Sequence, residues 1–169
     1  CYNEADTVDL TIRKITELFS KENINFEILC INNNSSDNTE QILKCIVLKN
    51  SFVHYLNSPP IQGFGIAVKF GLENCESRAV IITMADGSED PIEILQFFRK
   101  FAEGYDCVFG SRFLDKIFVD NYPTFKLVLN RLGNNFLSLV SRSRYNDFTS
   151  GFKCYDLEKL KNVGPFFSK

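Results

Sequence analysis

The 169 residues carry 19 Lys and Arg against 21 Asp and Glu, a net charge of −2 that excludes nucleic-acid binding driven by bulk charge. Hydrophobic residues make up 44% and charged residues 24%, the balance of an ordinary globular domain whose length allows one proper core. No run reaches the roughly 18 apolar residues that a membrane span needs.

In chain order, Val8, Ile12, Ile15 and Phe19 share one face of a first helix, with Asn3 as its expected N-cap and Asp6 three residues on. The apolar run 26–31 reads as a strand, and Asp37 with Glu40 signals the start of a second helix over 38–48. A second strand is expected over 51–56, a third helix over 65–74 and a third strand over 79–84. Residues 91–101 read as a helix with Pro91 in its first turn, 106–110 as a strand, and 125–139 as a fifth helix. This alternation, with nearly continuous apolar strands, predicts an α/β fold with a mostly parallel sheet covered by helices on both faces.

The six cysteines form no Cys-x-x-Cys pair, and Cys30 and Cys107 fall in apolar runs, so reduced, structural thiols are expected. The single histidine, His54, has no second histidine to share a metal with, and reads as a packed or surface residue. The sequence opens on Cys1-Tyr2-Asn3-Glu4, where a strand has already ended, and stops in mid-flow at Lys169. One catalytic domain, a fragment lacking its first strand and its C-terminal part, is the expectation.

Polar clusters follow the strands, where open α/β sheets bind ligands. Asn32-Asn33-Asn34-Ser35-Ser36-Asp37 suits either a strand-to-helix turn or a nucleoside pocket of amide side chains. Gln62-Gly63-Phe64-Gly65 opens a helix, where backbone amides can approach a phosphate; tight packing on the sheet explains the glycines about as well. Ala85-Asp86-Gly87-Ser88-Glu89-Asp90-Pro91 brings three carboxylates out of an apolar strand. Capping accounts for Asp90, whereas Asp86 at the strand end is placed to hold Mg²⁺ or Mn²⁺ beside a diphosphate. The stretches Gly110-Ser111-Arg112, Asn130-Arg131-Leu132-Gly133-Asn134 and Asp147-Phe148-Thr149-Ser150-Gly151-Phe152-Lys153 set two arginines beside small and amide residues. Such a pair grips an anionic group, unless each guanidinium only salt-bridges at the surface.

In this order the motifs resemble family 2 glycosyltransferases, and within them the polyprenyl-phosphate (dolichol-phosphate) mannosyl- and glucosyltransferase branch. Tyr2-Asn3-Glu4-Ala5 matches the motif after the first strand, and 32–39 stands in place of an acidic Asp-Asp-Gly-Ser-x-Asp-x-Thr motif. Gly63 to Gly71 matches the Gly-x-Gly-x-Ala loop-helix, and Met84-Ala85-Asp86 stands where an Asp-x-Asp metal motif belongs. Two departures stand out: Asn32 and Asn33 replace the acidic pair, and Met84 replaces the first metal-motif aspartate.

The resemblance implies a GT-A fold and inverting transfer of a hexosyl group from a nucleoside-diphosphate sugar, GDP-mannose or UDP-glucose, to a polyprenyl phosphate at the cytoplasmic face of a membrane. It implies a nucleotide-sugar site of Tyr2, Asn3, Glu4, Asn32, Asn34, Gly63, Gly65, Ala85 and Asp86. It also implies an Mg²⁺ or Mn²⁺ ion at Asp86, with Glu89 or Asp90 as a direct or water-mediated helper. Asp86, Arg112, Arg131 and Asp147 would be catalytic, and Ser111, Arg112, Arg131 and Asn134 would hold the acceptor phosphate. A glycan hydroxyl as acceptor, or a non-catalytic nucleotide-sugar-binding module, are the alternatives.

Overall fold

The computed structural model describes residues 1–111, 113 and 124–163; Arg112 lies outside them. The elements run α1 (Val8–Lys21), β1 (Ile28–Asn32), α2 (Thr39–Val47), β2 (Val53–Asn57), α3 (Phe64–Glu73) and β3 (Ala79–Ile82). They continue with α4 (Pro91–Ala102), β4 (Cys107–Phe109), α5 (Thr124–Ser141), β5 (Lys153–Asp156) and α6 (Leu157–Asn162). The first core forms because the apolar stripe of α1 meets that of α2 over one face of β1: Val8, Ile12, Cys30, Leu43, Ile46 and Val53 are all buried in one cluster. A second cluster joins Ile15 and Phe19 of α1 to Ile94 and Leu95 of α4 and to Phe152, whose ring stacks on Phe97 at 4.0 Å.

Alternation along β1 sends the next residue the other way. Ile31 faces α3, close enough that a Cβ on Gly71 would lie 3.2 Å from its side chain. Helices therefore lie on both faces, as the α/β pattern requires. β1 and β2 pair in parallel. β5 stands between β3 and β4, antiparallel to both. Neither β5 nor α6 stands out in the sequence: Lys153-Cys154-Tyr155-Asp156 is no continuous apolar run, and the six residues of α6 are too few for a helical period to show.

Three local expectations are corrected. Asn3 does not cap α1; it sits at φ 57° and its Oδ1 accepts from Ser36 N at 2.8 Å, while Thr7 holds the N-cap position. Asp37 precedes the N-cap of α2, and binds the helix start through Thr39 N at 3.0 Å. Cys107 is exposed, because β4 is an edge strand that turns Cys107 and Phe109 to one face and Val108 to the other. Burial pushes the thiols of Cys30 and Cys154 up to about 11, which keeps them protonated and inert. Asp90 does cap α4, accepting from Ile92 N at 2.8 Å ahead of Pro91.

Candidate functional site

The loop after β1 and the segment ahead of α1 are clasped together. Asn3 N donates to Ser35 Oγ, Glu4 N to Thr39 Oγ1 at 2.8 Å, and Ala5 N to Asp37 Oδ2 at 3.1 Å. Asp37 Oδ1 also accepts from the Thr39 hydroxyl at 2.5 Å, so one carboxylate holds both loops. Asn32 is buried, donating to Asn57 Oδ1 and accepting from Ser35 N, while Asn34 donates to Pro59 O. Asn33, also buried, accepts from Ser58 Oγ. The amides expected to read a base are thus engaged in shaping the loop, and Tyr2 is left exposed at its rim. Asn57 and Ser58 carry no signal in the sequence, because nothing local announces a partner at the end of a neighbouring strand.

The Thr39 hydroxyl, first among its partners, holds the Asp37 carboxyl below its ordinary 3.8. A depressed folded-state value means that the contribution is present above the ordinary value and lost as pH falls through the folded one. Asp37→Asn keeps an acceptor for one loop only. Its thermal midpoint should lie below the parent's at neutral pH, and the gap should narrow below about pH 4. Parallel pH profiles of the two proteins would show that the clasp does not depend on the charge.

At the end of β3, Asp86 is exposed and its Oδ1 accepts from Ser88 N at 2.9 Å. Glu89 turns back to the strand, accepting from Thr83 Oγ1 and from Met84 N at 2.9 Å, and Asp90 is engaged as the helix cap. Thr11 Oγ1 ties the turn down by donating to Ala85 O. Among the described residues no group of three or more His, Cys, Asp or Glu is arranged to cage a metal. One exposed carboxylate fits a divalent ion whose other ligands are phosphate and water oxygens, and does not fit one caged by protein alone.

The start of α3 carries Gly63 and Gly65. A Cβ on Gly65 would meet nothing within 4 Å, so packing does not explain that glycine and the helix start stays open. Gly151 is different, since a Cβ there would come within 2.8 Å of the Phe64 ring; the start of α3 and the 147–151 loop pack directly.

The remaining site residues gather around that loop. Ser111 Oγ donates to Asn146 Oδ1 at 2.6 Å and accepts from Phe113 N, and the Arg131 guanidinium lies 4.7 Å from the centre of the Phe113 ring. Asn134, one turn further along α5, is buried and donates to Asn130 O and to Thr149 Oγ1, which itself donates to the fully buried Asp147. Asn134 Oδ1 is buried with no hydrogen-bond partner among the described residues. The fold therefore brings Ser111, Arg131, Asn134 and Asp147 into one neighbourhood, fastened by Tyr145 OH donating to Gly110 O at 2.6 Å. Lys153 belongs there too, although sequence reasoning placed it in the motif without a role: it is half-buried, its Nζ donates to Phe148 O, and burial pushes its ammonium down.

Residues 1–164 match the model of Glycosyl transferase family 2. The putative glycosyltransferase CsbB of Bacillus subtilis is 27% identical over 98% of this chain and 44% of its own length. The polyprenol monophosphomannose synthase of Mycolicibacterium smegmatis is 26% identical over 96% of this chain and 61% of its own. The chain thus spans about half the length of the curated relatives it matches. Among solved structures, Mycobacterium tuberculosis glucosyl-3-phosphoglycerate synthase in complex with Mn²⁺, uridine diphosphate and phosphoglyceric acid superposes with a TM-score of 0.67 at 16% identity, over 94% of this chain and 54% of that one. With a GT-A fold and a family match over almost its whole length, the chain belongs to glycosyl transferase family 2.

Proposed function

We propose that this chain is the nucleotide-sugar-binding domain of an inverting hexosyltransferase whose acceptor is a polyprenyl phosphate. The observation that carries the reading is the division of charge between the strand ends. Asp86, an exposed carboxylate that caps no helix, stands after β3, while Arg131, Ser111 and Asn134 gather after β4 near an aspartate that is fully buried. A sugar hydroxyl needs an accessible general base, which buried Asp147 does not offer. A phosphate monoester, with a second pKa of about 6, is already largely ionised and needs cations to position it. The likeness to a polyprenol monophosphomannose synthase supports the same acceptor.

In this reading the clasped loops 2–5 and 32–39 wall the nucleoside and the open helix start at Gly65 receives phosphate; Asp86 would hold an Mg²⁺ or Mn²⁺ ion, which would supply charge stabilisation for the diphosphate leaving group. Arg131, beside the Phe113 ring, orients the acceptor phosphate with Ser111. Arg112, outside the described residues, is assigned to the same phosphate from its motif. The acid-free α5 exposes Leu129, Leu132, Phe136 and Val140, which suits contact with the lipid tail or the membrane surface. Among the described residues no helix is long and apolar enough to cross a membrane. A non-catalytic nucleotide-sugar-binding module is the second reading, favoured by the engagement of Glu89 and Asp90 away from Asp86.

The test is transfer of radiolabelled mannose from GDP-mannose, or glucose from UDP-glucose, into the organic phase by the full reading frame with polyprenyl phosphate and Mg²⁺ or Mn²⁺. Arg131→Ala should raise KM for the lipid phosphate roughly 10- to 100-fold, the worth of a charged hydrogen bond, with little change in KM for the sugar nucleotide. Equal effects on both substrates would remove Arg131 from the acceptor site. Nucleotide binding without transfer from either donor would favour the binding module.

A further inference from the structure

β5 stands between β3 and β4, and its first residue, Lys153, pairs with Ile82 at the end of β3 and with Phe109 at the end of β4. The start of β5 therefore lies level with the ends of both neighbours, between the turn that carries Asp86 and the turn that carries Ser111. Adjacent strands lie about 4.8 Å apart, so roughly 10 Å separates the two outer strand ends. The 147–151 loop leads into the strand between them.

Phe64, in the first turn of α3, reaches the same place. It is 50% exposed, it lines a cavity together with Tyr2, Glu4 and Ala85, and its ring abuts Gly151, two residues ahead of β5. A Cβ on Gly151 would lie 2.8 Å from Cζ of that ring, 3.4 Å from Cε1 and 3.6 Å from Cε2. Gly151 is not among the glycines with a positive φ, so its backbone does not call for glycine. What position 151 requires is the lack of a side chain, and the Phe64 ring fills the space. Gly65, one residue further along α3, has nothing within 4 Å of its Cβ position, so the ring's seat and the open helix start are separate features. A half-exposed phenylalanine is ordinary by itself, but a glycine left bare to seat it is not. The contact fixes the tip of the ring against the loop and leaves about half of the side chain open.

We infer that the open part of the Phe64 ring is the platform against which the transferred hexosyl group packs, with Gly151 as the positioning residue that lets the ring stand there. The inference rests on the proposed hexosyl transfer. A sugar that passes from a diphosphate beside Asp86 to a phosphate beside Ser111 and Arg131 crosses the start of β5, where the ring stands. A hexose carries hydroxyls around its rim and C–H groups on its faces. Those faces gain by leaving water against an aromatic ring, while the hydroxyls stay free for polar partners. A nucleoside diphosphate without its sugar has no such face to offer, so the platform acts on the sugar alone.

The experiment measures binding of UDP-glucose against UDP, and of GDP-mannose against GDP, by titration calorimetry with Mn²⁺ on the full reading frame and its variants. Phe64→Ala and the milder Phe64→Leu should weaken the sugar nucleotide that the parent binds about 3- to 10-fold and leave its nucleoside diphosphate unchanged. Phe64→Tyr, which keeps the ring, should bind both as the parent does. Gly151→Ala should give the same selective loss by pushing the ring off its seat, and should cost nothing further when added to Phe64→Ala. Parallel loss of sugar nucleotide and nucleoside diphosphate would make the ring a prop of the helix start and overturn the inference. Sugar-nucleotide binding that neither Phe64→Ala nor Phe64→Leu changes would overturn it as well, with the proposed function left standing. A parent that binds none of the four ligands would remove the proposed function itself, and the platform with it.

Discussion

Asp86→Asn should lower the rate of sugar transfer by about two to three orders of magnitude, the cost of losing one preorganised charge-stabilising group, and leave the thermal midpoint where it was. The asparagine keeps the structural part of the residue, since its Oδ1 can still accept from Ser88 N. What it loses is the negative charge at the end of β3. Glu89 and Asp90 do not substitute for it, because the first is turned to Met84 N and Thr83 and the second caps α4. The check is kcat in the organic-phase assay at several Mn²⁺ concentrations, with nucleotide binding measured alongside. Parental turnover with an unchanged metal titration would take Asp86 out of the site.

Leu43→Ala should cost about 2–5 kcal/mol of folding stability, the range for a large-to-small change at a fully enclosed position. Leu43 has 0% exposure and sits where α1, α2, β1 and β2 converge, beside Val8, Ile12 and Cys30. Those elements carry the clasped loops, so the cavity left by the missing methyls lies directly beneath the proposed nucleoside wall. A urea titration should show a lower midpoint at an unchanged slope. A loss below about 1 kcal/mol would mean that the neighbouring helices collapse onto the alanine, and that this core is softer than its burial implies.

Helix faces and the places of the first four strands were legible in the chain, because they rest on local apolar patterns, while the strands are shorter than the apolar runs that announce them. Val8, Ile12, Ile15 and Phe19 are the buried face of α1 that their spacing predicts, and Asp90 with Pro91 starts α4 as a cap and first turn should. The family was legible for a related reason, since its motifs are runs of consecutive residues whose order survives without any structure. Ser111, Arg131 and Asn134, three of the residues proposed for the acceptor phosphate, lie in one neighbourhood, although nothing in their spacing along the chain sets them side by side. Arg112, the fourth, lies outside the described residues.

The sequence by itself determined the alternating α/β elements, the helix stripes and the family, because each depends on residues close together in the chain. Only the tertiary structure decided which polar side chains remain available for chemistry. Asn3 pairs with Ser36, Asn32 with Asn57 and Glu89 with the end of β3, so residues that look alike as motif members divide into those that brace a loop and those, like Asp86, that stand open. The same holds for β5, which gains its place between β3 and β4 from backbone bonds to strands far away in the chain. Hydrogen-bond partners across strands are set by the packing of the whole sheet, and no window along one chain contains them.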